Sequence, residues 1–242
     1  IMLTAALPRI DDTVILDATT NPGFSGTPII ELDGSGVAAG PDAKGFNLKA
    51  PDSTIKGFII NNFDSDGIGV YDDNNTIQGN YIGTDASGNA AAANGRYGIN
   101  FVGASNNIIG GLDAAERNII SGNQNAGVRL QVDSDSNRVQ GNFIGVGADG
   151  ITAVGNQDEG IVVGDASDNN LIGGVSVGSE NIIANNVSFG VTKGADEDGV
   201  GNSILGNRIY DNGQLGISWG SSAPILNDDG DVDIGPNNLQ NF

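Results

Sequence analysis

Near the end of the chain, Asp228-Asp229-Gly230-Asp231-Val232-Asp233 sets acidic side chains around a glycine. Carboxylates at this spacing can converge on a hard divalent cation, and the run resembles a compact calcium loop. The longer helix–loop–helix pattern with its closing Glu is absent. A second acidic set lies in polar turns and includes Asp133, Asp135, Asp196 and Asp198. Two readings apply to it: solvated turn formers, or carboxylates bridged by calcium along one edge. A third set, Lys49, Tyr71 and Arg129, could supply a base and a counter-charge for a lyase acting on acidic sugars, with Asp133 and Asp135 holding calcium.

Against catalysis stands what the sequence lacks. It has no histidine, hence no Ser-His or Cys-His pair, and no cysteine, hence no thiolate metal site or disulfide framework. The paired carboxylates of a polygalacturonase are not apparent either. Gly145-Val146-Gly147-Ala148-Asp149-Gly150 fits a dinucleotide fingerprint in letters, but no helical stretch follows it.

These residues are positioned by a repeat. Asn75-Thr76-Ile77-Gln78-Gly79-Asn80-Tyr81-Ile82-Gly83 returns as Asn137-Arg138-Val139-Gln140-Gly141-Asn142-Phe143-Ile144-Gly145. It returns again from Asn202 to Ile209. Each half is too short for a helical stripe and reads as a very short strand meeting a corner. A second element, a glycine followed by alternating apolar residues, starts at Gly45, Gly67, Gly98, Gly127, Gly160, Gly190 and Gly216. That spacing of 22 to 33 residues is the period of a stacked repeat. A longer rhythm overlies it, since Asn75 to Asn137 and Gly98 to Gly160 both span 62 residues. Loops therefore leave the stack alternately at two different corners.

The pattern predicts an all-β fold: a right-handed parallel β-helix of about seven to eight coils, each with three short strands. Ile68, Ile99, Val128, Ile161 and Ile217 are expected to stack inside. Asn75, Asn107, Asn137, Asn170 and Asn202 should form one corner ladder, and Asn80, Asn118, Asn142, Asn181 and Asn207 a second. Lys193 falls on an inward position, so its strand is expected to stop at Thr192 and let it turn out. The whole chain, 1–242, reads as one domain: an N-terminal coil or cap over 1–44, regular coils over 45–220, and an acidic turn and junction over 221–242. It reads as a piece of a longer protein.

The segments N-T-I-Q-G-N-Y-I-G-T-D-A-S-G-N, R-N-I-I-S-G-N and G-P-N-N-L-Q-N-F resemble the right-handed parallel β-helix repeats of large bacterial cell-surface or secreted proteins. That resemblance implies the fold and a location outside the cell. It leaves function open, because the same fold hosts polysaccharide lyases, hydrolases and phage tailspikes.

Ten Lys and Arg against 30 Asp and Glu give a formal charge of -20. Nucleic-acid binding through phosphates needs the opposite balance. No apolar run reaches membrane-spanning length. The expected role is a non-enzymatic structural or adhesive rod, with calcium as the one candidate cofactor and other copies, joined head to tail, as partners. The alternative is a protein that binds or cleaves an acidic or neutral polysaccharide.

Overall fold

A computed structural model describes residues 1–164, 166–193 and 199–219. The chain winds through three parallel sheets of seven strands each, one strand per sheet per coil, as a right-handed parallel β-helix. The first sheet holds Ile15–Asp17, Thr54–Lys56, Thr76–Gln78, Ile108–Gly110, Arg138–Gln140, Leu171–Gly173 and Ser203–Leu205. The second holds Ile30–Asp33, Phe58–Asn61, Tyr81–Ile82, Ile119–Ile120, Phe143–Ile144, Ile182–Ala184 and Arg208–Tyr210. The third holds Phe46–Leu48, Ile68–Val70, Ile99–Val102, Val128–Gln131, Ile161–Val163, Val191–Lys193 and Ile217–Trp219. We number the coils one to seven in this order. Strand spacing of about 4.8 Å makes the stack roughly 35 Å long.

Strands two to four residues long survive because each inner strand pairs on both sides and each sends one or two apolar residues inward. In the first sheet Leu16, Ile55, Ile77, Ile109, Val139, Ile172 and Ile204 follow one another in register. In the third, Ile68, Ile99, Val128, Ile161 and Val191 do the same, all fully buried. Each buried Ile contributes roughly 1.5–3 kcal/mol before entropy is counted. Ile217, at the last described coil, is 37% exposed, since no described coil lies beyond it. Before coil one, residues 1–14 lie along two of the sheets, with Met2 bridging Asp33 and Ile10 bridging Leu48. Ile15–Asp17, by contrast, is an edge strand of the first sheet, and Ile15 is exposed.

Lys193 corrects the sequence reading. Its strand continues through it, and the side chain is buried, with Nζ donating to the Gly199 carbonyl at 2.7 Å. The Gly199 carbonyl satisfies the ammonium donor, so the lysine keeps the inward position that alternation gives it.

The two kinds of excursion are present at the expected corners. Those after the second sheet fold back on themselves, with antiparallel bridges Thr84 to Ala91 and Val146 to Ala153. They also touch each other across the intervening coil: Ala148 N–H donates to Gly88 O at 2.9 Å and Asp149 N–H to Asn89 Oδ1 at 3.2 Å. Together they cover an apolar column on the outside of the second sheet, Tyr81, Ile119, Phe143 and Ile182, which forms a second small core.

Candidate functional site

The corner asparagines do structural work. Along the first ladder, Asn75 N–H donates to Asn107 Oδ1, Asn107 to Asn137, Asn137 to Asn170 and Asn170 to Asn202, all at 2.7–2.9 Å. The second runs the same way from Asn80 to Asn207. Each second-ladder amide also donates to a carbonyl of a first-sheet strand, as Asn118 Nδ2 does to Ile77 O at 2.8 Å. At Asn118, for example, two acceptor sites and two donor hydrogens are thus all satisfied in the buried interior.

A third ladder was missed: Asn94, Asn123, Asn156, Asn186 and Asn212. Its signal was present, because each stands four residues before a repeat glycine, from Asn94 with Gly98 to Asn212 with Gly216. Phe63 occupies the slot in coil two, and its N–H donates to Asn94 Oδ1 at 3.2 Å.

The acidic turns form a fourth hydrogen-bonded line. Asp73 Oδ1 accepts the Ser105 N–H, Asp135 Oδ1 the Asp168 N–H and Asp168 Oδ1 the Val200 N–H, at 2.6–2.7 Å. Asp133 is exposed in a left-handed backbone conformation, φ 54°. Three carboxylates on this edge, Asp73, Asp135 and Asp168, thus cap backbone donors of the next coil. Among the described residues, no three acidic side chains gather into a group able to hold a metal ion. Asp196, Asp198, Asp228, Asp229, Asp231 and Asp233 lie outside the described residues.

The densest polar chemistry lies on the outer face of the third sheet. Written coil by coil, the residue before each glycine is Lys44, Asp66, Tyr97, Ala126 and Glu159, and the residue two after it is Asn47, Gly69, Asn100, Arg129 and Val162. Lys44 Nζ stands 3.8 Å from Asp66 Oδ2, and both residues are buried. Asn100 Nδ2 donates to that same oxygen at 3.2 Å, and Asn100 Oδ1 accepts from Gln131 Nε2 at 2.9 Å. Beside this line, Arg129 Nη1 donates to the Tyr97 hydroxyl.

Of the three residues considered for a lyase, the structure joins two and separates the third. Lys49 Nζ lies 4.6 Å from the centre of the Tyr71 ring. Arg129 is two coils from Tyr71, about 10 Å by strand spacing. Burial pushes the Tyr71 hydroxyl up, helped by the charges of Asp66 and Asp42, so it donates hydrogen bonds rather than acting as a base at neutral pH. Beside Lys49 is a recess of about 300 Å³ whose lining includes Arg9, Asp42 and Asn47.

Burial also pushes the Glu159 carboxyl up; Asp158 adds to this and Arg129 opposes it. A raised carboxyl pKa means that the charged form is disfavoured in the fold. The penalty is present at neutral pH and is lost as pH falls through the carboxylate range. Glu159→Gln is therefore expected to stabilise the protein at pH 7 by less than about 1 kcal/mol, because solvent screens a half-exposed group. Urea titrations should show the gain vanishing near pH 4 and below. A variant that is less stable at pH 7 would mean that the Arg129 attraction outweighs desolvation.

No protein-family model matches the chain, and no curated protein matches it.

Proposed function

We propose that the chain is a rigid, non-enzymatic module that works outside the cell, spacing or presenting whatever it is joined to. The observation that carries this reading is the set of three amide ladders that run from coil to coil at all three corners. Such ladders tie coils three to seven to one another, and coil two to coil three through its backbone N–H groups, without using the surface, and they make bending or unwinding any of those coils costly. The exposed edge strand Ile15–Asp17 offers backbone groups for parallel pairing, which favours head-to-tail assembly, and calcium at the acidic turns is the cation chosen to support it.

A second reading, polysaccharide binding or cleavage, rests on the polar outer face of the third sheet, where Lys49 lies over the Tyr71 ring and Arg129 over the Tyr97 ring. One experiment separates the two. The protein is incubated with pectate, alginate and glycosaminoglycans, and both unsaturated product and retardation in affinity gels are followed. The rod reading expects neither product nor retardation. Retardation without product supports glycan binding, and product overturns the non-enzymatic reading.

A further inference from the structure

We propose that Lys44 and Asn100 become joined by a spontaneous side-chain amide bond, with Asp66 shuttling the protons. The three residues stand on three successive coils and are buried. Lys44 Nζ and Asn100 Nδ2 face one oxygen, Asp66 Oδ2, at 3.8 and 3.2 Å. Asp66 Oδ1 is buried and has no hydrogen-bond partner. A fixed carboxyl between an amine and a carboxamide, shut away from water, is the arrangement that aminolysis of an amide needs.

The surroundings fit this chemistry. Gly69 is the residue in register with Asn100 on the preceding coil. A Cβ there would meet Lys44 Cδ at 3.1 Å and Cε at 3.2 Å, so the lysine stem lies over the glycine. Every other outward position in this column, from Asn47 to Ser218, carries a side chain. The missing side chain lets Lys44 run along the rod toward Asn100. Gln131 Nε2, from coil four, already donates to Asn100 Oδ1 and is placed to hold negative charge on that atom.

The step balances without any further reagent. Lys44 gives one proton to Asp66, which leaves an amine and a carboxylic acid in place of a buried ion pair. Nζ then attacks Asn100 Cγ, and Oδ1 takes the charge against Gln131. Asp66 protonates Nδ2 and takes the surplus proton from Nζ. The Cγ–Nδ2 bond breaks, and ammonia leaves with the proton that Asp66 then holds. The net change is one amide formed and one ammonium released, with Asp66 returned to its carboxylate. Lys44 must first leave the Pro41 carbonyl, to which Nζ donates. The new bond would clamp coil one to coil three across coil two.

The test is the intact mass of the purified full chain, followed by tandem mass spectrometry of its digest. The expected result is a mass one ammonia below the sequence mass, with the Lys44 peptide covalently joined to the Asn100 peptide. Lys44→Arg and Asp66→Ala, each shown to be folded by an unchanged β-sheet circular dichroism spectrum, should return to their full sequence masses. An unmodified wild-type mass overturns the proposal. So does loss of one water with Lys44 joined to Asp66, which would make Asp66 the electrophile. Loss of ammonia with no joined peptides, as a succinimide at Asn94-Gly95 would give, also overturns it. A cross-link that persists in Asp66→Ala removes Asp66 from the reaction.

Discussion

Asn142→Ala is expected to lower the unfolding free energy by about 3–5 kcal/mol, one of the largest losses available to a single polar residue in this chain. Asn142 is fully buried in the middle of the second ladder. Its Oδ1 accepts from the Asn118 N–H at 3.2 Å and from Asn118 Nδ2 at 3.0 Å. Its Nδ2 donates to Ile109 O at 2.9 Å and to Asn181 Oδ1 at 3.1 Å. Truncation strips partners from groups on both neighbouring coils, where no water replaces them, and each buried orphan costs about 1–3 kcal/mol. Asn207→Ala, at the half-exposed end of the same ladder, is expected to cost about 1 kcal/mol, because water can reach the groups it leaves. Urea unfolding of both variants checks the pair. Equal losses would mean that the ladder's strength does not come from burial.

How much of this was written in the sequence depends on how regularly a feature recurs. Two ladders were legible because each coil from three to seven repeats an Asn two residues before an aliphatic residue, even where an excursion separates Asn107 from Asn118 and Asn170 from Asn181. The third was not singled out, since Asn94 and Asn156 end long excursions whereas Asn123 follows its strand by three residues, so they align only when counted backwards from the glycines. The inward stacking of Ile99 and Ile161 followed from alternation alone, and the structure buries both. Alternation put Lys193 inward too, but it does not show a partner for the ammonium, such as Gly199 O, that lets the side chain stay there. The outer apolar column at Tyr81, Ile119, Phe143 and Ile182 was hidden for a related reason. Its positions are outward in the strand pattern, and the two long excursions that meet over them leave Ile119, Phe143 and Ile182 buried and Tyr81 half-buried.

The Lys44, Asp66 and Asn100 cluster was the least legible part of the site. Lys44 and Asp66 precede their glycines, whereas Asn100 follows one, so no short motif contains them. What brings them together is the stacking distance of about 4.8 Å between coils and the absence of a side chain at Gly69. Lys49, Tyr71 and Arg129 do not converge on one point. The first two turn toward each other and Arg129 toward Tyr97.

Gly98→Ala is expected to cost about 2–3 kcal/mol, although its backbone needs no left-handed conformation. The reason is the ladder beside it. An added Cβ would stand 2.6 Å from Gly127 O, 2.6 Å from Ile120 Cγ2 and 2.9 Å from Asn123 Nδ2. Gly127 O cannot retreat without stretching its 2.9 Å hydrogen bond from the Ile99 N–H, and Asn123 is held by Asn156 and Ile82. The same three kinds of neighbour surround Gly67, Gly127, Gly160 and Gly190. Among the described residues Gly216 has only Ile209 within reach, with Cγ2 at 3.2 Å, and Ile209 is only half-buried. Gly216→Ala should therefore cost under about 0.5 kcal/mol, since the neighbour can give way. Thermal unfolding of the two variants decides between a glycine column required by packing and one required by backbone freedom. A large loss at Gly98 with almost none at Gly216 ties the glycines to the amides they lie against, and equal losses would break that link.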